Sequence, residues 1–352
     1  NLLYRDYFYR SSTNPMMLED LKKVVEKSQK FVKLNENDIV VDIGANDCSM
    51  LSCFPKNVQR VGVEPASNID WSELDEDIKI INDFFPSDNF KKYINKRKVN
   101  IFTSCAMFYD LQDPNSFVKT IKENLDEDGV WCIQLSYISL MLKNMNFYDI
   151  CHEHLEYYSL KSLNFLMKKN GLEIVHAETN SVNGGSALVF IKHKNLNNEI
   201  TTGYKDLISF ENLMNLSSIK TYKIFFSEMQ KLSVKVTTFI KNEIINKRLV
   251  IGLGASTKGN VLLQFFGIDK NMLPYISEKQ KMKVGLKTLG TDIELISEEK
   301  ARNLNPSSML MLPWYFKEEI LVREKEYLEQ GGSIIIPMPY AHVITKDGEI
   351  KL

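Results

Sequence analysis

Apolar and polar positions along the chain follow two different periods. Residues 16–33 (MMLEDLKKVVEKSQKFVK) carry apolar side chains at helical spacing and predict an amphipathic helix. Short β-branched runs come next, separated by helical segments such as 115–125. The runs are DIVVDIGAND (38–47), RVGVEPAS (60–67), IKIINDFFP, VNIFTSCAMFYD and GVWCIQLSYI (129–138). Strands that alternate with helices predict a parallel α/β sheet.

The pattern changes in the middle of the chain and then restarts. Residues 160–180 predict a further helix, and GGSALVFIKHK (184–194) predicts an antiparallel edge strand. Helical periodicity continues without strand signals, and RLVIGLGASTKGNVLLQFF then opens a second α/β pattern. We therefore predict a Rossmann-like domain at 1–195, a helical connector at 196–247 and a second Rossmann-like domain at 248–352.

Composition narrows the function classes. The 352 residues are 44% hydrophobic and 25% charged, and a net charge of −1 argues against a protein built to bind nucleic acid. The five cysteines contain no C-x-x-C pair, so we expect reduced thiols, no metal site and a cytoplasmic protein. No apolar run is long enough for a membrane span, so we expect no membrane partner.

The first glycine turn, Asp42-Ile43-Gly44-Ala45-Asn46, has too few glycines for a diphosphate cradle. The next strand ends in Glu64, whose carboxylate can accept both hydroxyls of a ribose. This pattern resembles Rossmann-class methyltransferases that use S-adenosylmethionine. The candidate cofactor-binding residues are Asp42, Gly44, Asn46, Glu64, Pro65, Asp83, Phe84, Phe85 and Ser104, with the aromatic rings offered to the base.

A second resemblance covers nearly the whole chain, from Tyr4 to about Pro339. Six motifs occur in order: YRDYFYRSSTN, DICHEHLEYYSL, NGGSALVF, GLGASTKGNVLLQFFG, EKQKMKVGLKTLGTDIELIS and LPWYF. Together they resemble the sugar C-methyltransferases that act on nucleotide-linked 4-keto sugars. The resemblance implies S-adenosylmethionine as cofactor and a nucleotide sugar as substrate.

The chain departs from that family in several places. Nothing in the sequence matches the cysteine-rich zinc module at the family's N-terminus, so we expect that the protein either lacks this module or carries it before residue 1. Cys151 stands where the family usually has Tyr before His-Glu-His, Asp110 stands where a His usually follows the fourth strand, and Cys48 replaces a glycine. These changes bear on the substrate and the bond formed rather than on the cofactor.

The stretch His152-Glu153-His154 admits three interpretations. Neighbouring residues point in different directions, so a metal site is disfavoured. Ser159 is a plausible N-cap, which makes the stretch the entry to a helix at 159–169. The third interpretation is acid–base chemistry, since an imidazole titrates near working pH.

The resemblance favours the chemical interpretation. It implies that His154 removes a proton beside a ketone, with Glu153 holding or tuning the imidazole. Because Cys151 is a poorer donor than Tyr, the keto oxygen requires another partner, for which Tyr157, Tyr9 and Tyr137 are the hypotheses. The candidate catalytic residues are His154, Glu153, His152, Tyr157 and Tyr9.

The second glycine turn, GLGASTKGN, differs from a phosphate-binding P-loop. The resemblance implies a nucleotide-sugar contact at the start of the following helix, where backbone N–H groups favour anions. A turn needed only for packing is the alternative. The candidate substrate-binding residues are Tyr137, Asn183, Gly184, Gly185, Ser256, Thr257, Lys258, Asn260 and Lys283.

Three competing functions stay open at this point. An O-methyltransferase would use His154 to deprotonate a hydroxyl, and a non-catalytic nucleotide-sugar binding protein would need no cofactor. A dehydrogenase is disfavoured by the sparse glycines of the first turn.

Overall fold

The computed structural model describes residues 3–7, 9–195 and 197–352. Asn1, the first residue of the predicted N-terminal domain, and Leu196, the first residue of the predicted connector, lie outside the described residues. The described chain divides into two compact units. The first comprises 1–138 and 155–214, and the second comprises 139–154 and 215–352. The segment with His152 and His154 therefore belongs to the second unit, although both of its flanks belong to the first.

The first unit contains a mixed sheet with the strand order β3-β2-β1-β4-β5-β7-β6. Strands β1 to β5 are parallel, whereas β7 is antiparallel to both β5 and β6. The strands are β1 (Ile39–Ile43), β2 (Gln59–Val63), β3 (Ile78–Ile81), β4 (Val99–Cys105), β5 (Leu125–Ser136), β6 (Leu172–Asn180) and β7 (Ser186–His193). The helices that begin in this unit are α1 (Pro15–Ser28), α2 (Asp88–Ile94), α3 (Pro114–Asn124), α4 (Ile138–Lys143), α5 (Leu160–Lys169) and α6 (Thr202–Met214).

The second unit repeats this architecture with the strand order β10-β9-β8-β11-β12-β13-β14. Strands β8 to β12 are parallel, and β13 and β14 continue the sheet antiparallel. The strands are β8 (Val250–Leu253), β9 (Tyr275–Glu278), β10 (Glu294–Ser297), β11 (Ser308–Met311), β12 (Ser333–Ile336), β13 (His342–Thr345) and β14 (Gly348–Lys351). The helices are α7 (Ile219–Ile245), α8 (Thr257–Phe266), α9 (Glu298–Asn303), α10 (Lys317–Arg323) and α11 (Lys325–Glu329).

The central strands explain why the sequence predicted both sheets. Every residue of β1 and of β8 is buried, because helices cover both faces of a parallel sheet. In the first core, Val40, Ile101 and Val130 of adjacent strands pack together with α1. In the second core, Ile251, Met309 and Ile334 take the corresponding places. The prediction of two Rossmann-like α/β domains is confirmed.

The prediction of a helix across 160–180 is wrong in its second half. Helix α5 ends at Lys169, and Gly171 with φ +76° turns the chain into β6. This strand is the edge of the sheet, whereas β7, the predicted edge strand, lies between β5 and β6. The predicted cap is confirmed, because Ser159 accepts the N–H of Ser162 at 3.0 Å at the start of α5.

Each sheet reverses its strand order beside its first strand. The reversal lies between β1 and β4 in the first unit and between β8 and β11 in the second. Ligands of open α/β sheets bind at the carboxyl ends of the strands at such a point. Gly44 and Gly254 come directly after the two first strands at these places.

Candidate active site

The turn after β1 contains the centre of the predicted cofactor site. Gly44 has φ +75° and donates its N–H to the Val63 carbonyl at 2.9 Å. A Cβ at this position would lie 3.2 Å from Met107 Cγ. Both the left-handed backbone and the close approach of Met107 favour glycine here.

Glu64 follows β2 and lies against this turn. Its Oε2 accepts the Asn46 N–H at 2.7 Å, and its Oε1 accepts the Ala66 N–H at 2.8 Å. The side chain is 6% exposed, and this burial raises the pKa of Glu64 while the two N–H bonds oppose the rise. Each carboxylate oxygen keeps a further lone pair, so two hydroxyl donors of one ligand can still be accepted.

Asp42 is a second carboxyl group beside the turn. It is buried and accepts a hydrogen bond from Thr103 Oγ1 at 2.7 Å. Burial raises the pKa of Asp42 to about 7, with the negative charge of Glu64 adding to the rise and Thr103 opposing it. The Asp42 carboxyl group therefore gains or loses its proton close to neutral pH.

The N-terminal segment is fastened to the same turn by Asn46. The Asn46 Nδ2 donates to the Tyr9 carbonyl at 3.0 Å, and its Oδ1 accepts the Ser11 N–H at 3.1 Å. Tyr9 is 43% exposed, and its partial burial together with the charge of Asp47 raises the pKa of the phenol. Tyr9 is thus a neighbour of the cofactor turn.

Two half-buried cofactor candidates that follow β3, Asp83 and Phe84, contact charged and polar groups. The Arg5 guanidinium lies 4.9 Å above the centre of the Phe84 ring and donates to the Pro65 carbonyl at 3.2 Å. Asp83 Oδ2 accepts from Asn89 Nδ2 at 2.9 Å. Phe84 and Asp83 are both half-buried and keep part of their surface exposed, while Arg5 lies over the Phe84 ring.

Two other cofactor candidates lie in the core. The Phe85 ring packs edge-on against Phe90 and Phe117, with both centroid distances 4.8 Å. Ser104 is fully buried and accepts a hydrogen bond from Trp131 Nε1 at 3.1 Å. These contacts give both side chains a structural role that needs no ligand. Phe84 is therefore a better candidate than Phe85 to contact the adenine base of the cofactor.

The His-Glu-His segment is anchored within the second unit. Phe147 is buried and packs against Phe265 of α8 with a centroid distance of 4.9 Å. Asp149, 2% exposed, forms an ion pair with Lys258 in which Oδ1 lies 2.6 Å from Nζ. The Lys258 ammonium also lies over the rings of Tyr148 and Tyr315, at 5.0 Å and 5.3 Å from their centroids.

Burial and the neighbouring charges together determine the pKa of His154. Burial lowers the pKa of His154 below its ordinary value of 6.5, and the positive charge of Lys258 lowers it further. Asp149 and Glu153 oppose the shift, as does a hydrogen bond between the imidazole and the Asp149 backbone. The imidazole is therefore neutral at neutral pH, the form in which it can accept a proton.

The residues beside His154 have different surroundings. His152 is 72% exposed in its side chain, and its Nδ1 lies 3.2 Å from Glu153 Oε2. Burial and the carboxylate of Glu153 raise the pKa of Cys151 to about 12, so this residue stays a neutral thiol. A thiol is a weak hydrogen-bond donor, which supports the expectation that another group serves the keto oxygen.

The tyrosine candidates differ in availability. The Tyr137 hydroxyl is buried and donates to Glu211 Oε1 at 2.8 Å, so its donor is already engaged. Glu211 also accepts N–H groups at the start of α5. Tyr157 is half-buried. The engaged hydroxyl makes Tyr137 a poor donor to the keto oxygen.

The remaining substrate candidates lie in two turns. Asn183, Gly184 and Gly185 have φ values of 55°, 89° and 133° and form the turn between β6 and β7. In the second unit, Ser256 caps α8 by accepting the Gly259 N–H at 3.0 Å. Thr257 is exposed and Asn260 half-buried at the start of α8, and Lys283 Nζ lies 3.4 Å from the Ala255 carbonyl.

Sequence reasoning missed the ion pair between Asp149 and Lys258 beside the candidate base. In the sequence, Asp149 is only a flank of the His-Glu-His stretch, and its partner Lys258 lies far away along the chain. No local pattern connects these positions. A strand-terminal acid at Glu278, which the rule used for Glu64 would have found, was also missed.

Comparison with known proteins defines the class. Residues 17–177 match a family model described as a methyltransferase domain, and residues 181–339 match one described as a C-methyltransferase C-terminal domain. The chain is therefore an enzyme, a methyltransferase that uses S-adenosylmethionine. It is similar to the C-methyltransferase NovU of Streptomyces niveus, with 27% identity over 352 residues, 99% of this chain and 84% of that protein. The non-catalytic and dehydrogenase alternatives do not apply.

Solved structures resemble about half of the chain. A chain in the complex of the Haloferax volcanii Trm112 methyltransferase activator with a putative methyltransferase is 15% identical, with a TM-score of 0.41 over 52% of this chain and 95% of that one. An S-adenosylmethionine-dependent methyltransferase from Clostridium acetobutylicum is 11% identical, with a TM-score of 0.39 over 51% and 92% of the two chains. With TM-scores below 0.5, these similarities support no residue assignment.

The residues around the first turn fit the cofactor. S-adenosylmethionine carries a ribose diol and no phosphate, and Glu64 offers two acceptor oxygens beside a turn with a single glycine. Within the described part of the chain, no group of three or more His, Cys, Asp or Glu side chains is arranged to bind a metal ion. None of the described helices is both long enough and apolar enough to span a membrane.

Proposed function

We propose that the enzyme transfers a methyl group to a carbon atom next to the ketone of a nucleotide-linked sugar. The observation that carries this proposal is the half-buried imidazole of His154 beside the Asp149–Lys258 ion pair. Carbon beside a ketone becomes nucleophilic only after it loses a proton. Among the side chains of the His-Glu-His segment, a neutral imidazole is the one suited to accept that proton.

His154 acts as the general base. A pKa below 6.5 leaves the imidazole unprotonated at neutral pH, and the hydrogen bond to the Asp149 backbone holds the ring. After proton transfer, the nearby carboxylates of Asp149 and Glu153 stabilise the imidazolium. Glu153 thus tunes the base, as the resemblance implies.

The first unit binds the methyl donor. Glu64 accepts the ribose hydroxyls, the turn at Gly44 allows close approach, and Phe84 contacts the base. Bound there, S-adenosylmethionine supplies an already activated methyl group, so alignment of the reacting atoms provides much of the rate acceleration. Asp42 is buried behind the turn and supports it through Thr103.

The second unit binds the nucleotide of the substrate. Ser256, Thr257 and Asn260 surround the N-terminus of α8, where backbone N–H groups favour a phosphate. Lys283 adds a positive charge at the same turn. Lys258 has a different role, because its ammonium pairs with the Asp149 carboxylate and lowers the pKa of His154.

Methylation of oxygen is the second candidate. Cys151, a neutral thiol, stands at the position from which the resembling family supplies a Tyr to the keto oxygen. A hydroxyl substrate would need no such donor, and His154 would deprotonate it directly.

The experiment that separates the two candidates follows the transferred carbon. The enzyme is incubated with S-adenosylmethionine labelled with ¹³C in its methyl group and with a panel of nucleotide-linked 4-keto and intact sugars. We expect a C-methyl resonance with a keto sugar. An O-methyl resonance, or labelling of intact sugars alone, would overturn C-methylation in favour of the second candidate.

A further inference from the structure

The segment that carries the candidate base leaves the first unit and then returns to it. The chain leaves this unit after Ile138, the second residue beyond β5, and returns at Leu155, the residue directly after His154. The outgoing and returning chains are joined in the first unit, because Ile138 donates its N–H to the Tyr158 carbonyl at 3.2 Å. The neck of the segment comprises residues 137–138 and 155–161.

The returning half of the neck is bound at the carboxyl end of β4. The Tyr109 carbonyl, in the turn after this strand, accepts the N–H groups of Leu155 and Glu156, both at 3.0 Å. Met107, two residues before Tyr109, lies 3.2 Å from the Cβ position of Gly44. The residue that follows His154 is therefore attached to the same loop that packs on the turn proposed to bind the methyl donor.

Glu211 joins the two halves of the neck. This side chain is 1% exposed and belongs to α6, which lies far from both halves in the sequence. Its Oε1 accepts the Tyr137 hydroxyl at 2.8 Å on the outgoing half and the Leu160 N–H on the returning half. Its Oε2 accepts the Lys161 N–H at 3.2 Å. One buried side chain thus holds donors from both halves.

The three donors explain why a carboxylate occupies this position. A carboxylate only accepts hydrogen bonds, whereas the amide of Gln has one acceptor oxygen and an NH₂ group that donates. In a Glu211→Gln variant the NH₂ group would replace one oxygen and face an N–H or O–H donor. This substitution hardly changes the volume of the side chain, and it should loosen the neck without creating a cavity.

We propose that Glu211 is the positioning residue of the catalytic base, because it holds the neck through which the His154 segment is attached to the first unit. The inference rests on the proposed role of His154 and adds the group that fixes its attachment. Glu211 acts through Tyr137 and the start of α5 rather than on the reacting atoms. Proton abstraction requires the imidazole within hydrogen-bond reach, and a misplacement of about 1 Å can lower the rate by about a hundredfold.

The test compares kcat with cofactor affinity in the full chain. Methyl transfer and proton exchange in D₂O are measured with the nucleotide-linked 4-keto sugar that the ¹³C-labelling experiment selects. We expect kcat and the exchange rate to fall by about ten- to a hundredfold in Glu211→Gln. The affinity for S-adenosylhomocysteine, measured by calorimetry, should stay within about threefold of wild type, because the cofactor residues of the first unit are unchanged.

Glu243→Gln is the matched control. Glu243 is also a buried helical acid, but its partners are Arg248 and Ser307 of the second unit, at 2.9 Å and 3.2 Å. This variant should lose stability to urea as Glu211→Gln does and keep kcat within about threefold of wild type. The comparison separates the position of the base from a general loss of stability.

Two further measurements read the neck directly. Amide hydrogen exchange followed by mass spectrometry needs no substrate, and the peptide 155–163 should exchange faster in Glu211→Gln while peptides from β1 and β4 keep their wild-type rates. Tyr137→Phe removes one of the three donors and should lower kcat by about three- to tenfold. The double variant should be no slower than Glu211→Gln alone, since both changes act through one bond.

A kcat within about threefold of wild type in a folded Glu211→Gln variant would overturn the positioning role and leave the proposed function standing. An equal fall in kcat and in cofactor affinity would also overturn it, because that pattern indicates a general loss of structure. If Glu211→Gln does not fold, a wild-type kcat in Tyr137→Phe overturns the role. If wild type neither methylates any nucleotide-linked 4-keto sugar nor exchanges its proton, the inference fails together with the proposed function.

Discussion

The ammonium of Lys258 lies 2.6 Å from Asp149 Oδ1, and the charges of both residues act on the imidazole of His154. Their effects oppose each other, since Asp149 raises the pKa of His154 and Lys258 lowers it. Burial decides the outcome and keeps the pKa below 6.5. The ion pair, whose members are 2% and 17% exposed in their side chains, only adjusts a pKa that burial has lowered.

The first prediction concerns the pH dependence of kcat/KM. A base works only when unprotonated, so activity should fall as the pH drops through the pKa of His154, below pH 6.5. Asp149→Asn removes the largest charge that raises this pKa and should move the acid limb to still lower pH. The substitution also leaves Lys258 without its carboxylate and should lower the free energy of unfolding by about 3 kcal/mol.

Rate profiles between pH 4.5 and 8.5, with urea unfolding beside them, check this prediction. Asp347→Asn is the matched control, because Asp347 is exposed in the turn between β13 and β14. An acid limb that stays fixed or moves to higher pH in Asp149→Asn would contradict the assignment of His154.

A second prediction concerns the glycine of the first turn. Gly44→Ala imposes φ +75° on alanine and brings a Cβ to 3.2 Å from Met107, so both stability and cofactor affinity should fall. The left-handed backbone costs about 1–2 kcal/mol. We expect the affinity for S-adenosylhomocysteine, measured by calorimetry, to fall by about tenfold or more.

Gly171→Ala separates the two effects. Gly171 has φ +76°, but the nearest atom to its Cβ position is Lys122 Cε at 3.8 Å. This variant should lose similar stability and keep its affinity for S-adenosylhomocysteine. Equal loss of affinity in both variants would mean that the contact at Gly44 is unimportant for the site.

The third prediction concerns the titration of Asp42. Its pKa is about 7 in the folded protein and close to 3.8 when unfolded, so the folded state holds its proton to higher pH. Unfolding then releases that proton between these values, and the free energy of unfolding should fall as the pH rises from about 4 to 7, by up to about 4 kcal/mol. Asp42→Asn cannot titrate and should lack this contribution.

Urea unfolding of wild type and Asp42→Asn between pH 4 and 8 measures the difference. Subtracting the two curves removes the contributions of other groups, including His154, whose lowered pKa acts in the opposite direction. Curves that run parallel across this range would contradict the raised pKa of Asp42.

The sequence predicted the framework of the enzyme because its central strands are buried on both faces. Such strands appear as continuous apolar runs, as in β1, and the glycine turn and terminal acid beyond them carry local signals. The candidate cofactor turn of the first unit could therefore be proposed from Asp42, Gly44 and Glu64. Phe85 could not be separated from Phe84, since only the packing shows which ring enters the core.

Other features depend on contacts that no local pattern records. The prediction of a helix where β6 lies failed because Gly171, which ends α5, stands inside a segment of mixed period. The pairing of Asp149 with Lys258 joins residues far apart in the sequence. Glu278 was predictable by the rule used for Glu64, since Glu278 ends the second strand of its sheet and Glu64 directly follows the second strand of the first sheet.

Proton removal by His154 is the central claim, and isotope exchange tests it most directly. The enzyme is incubated in D₂O with a nucleotide-linked 4-keto sugar that it methylates and with S-adenosylhomocysteine in place of the donor, and loss of the proton beside the ketone is followed by NMR. We expect exchange by wild type, a decrease of about 10²- to 10⁴-fold in His154→Asn and a smaller decrease in His152→Asn, whose parent side chain is mostly exposed. Exchange by a folded His154→Asn variant at the wild-type rate, or no exchange by wild type, would contradict the account.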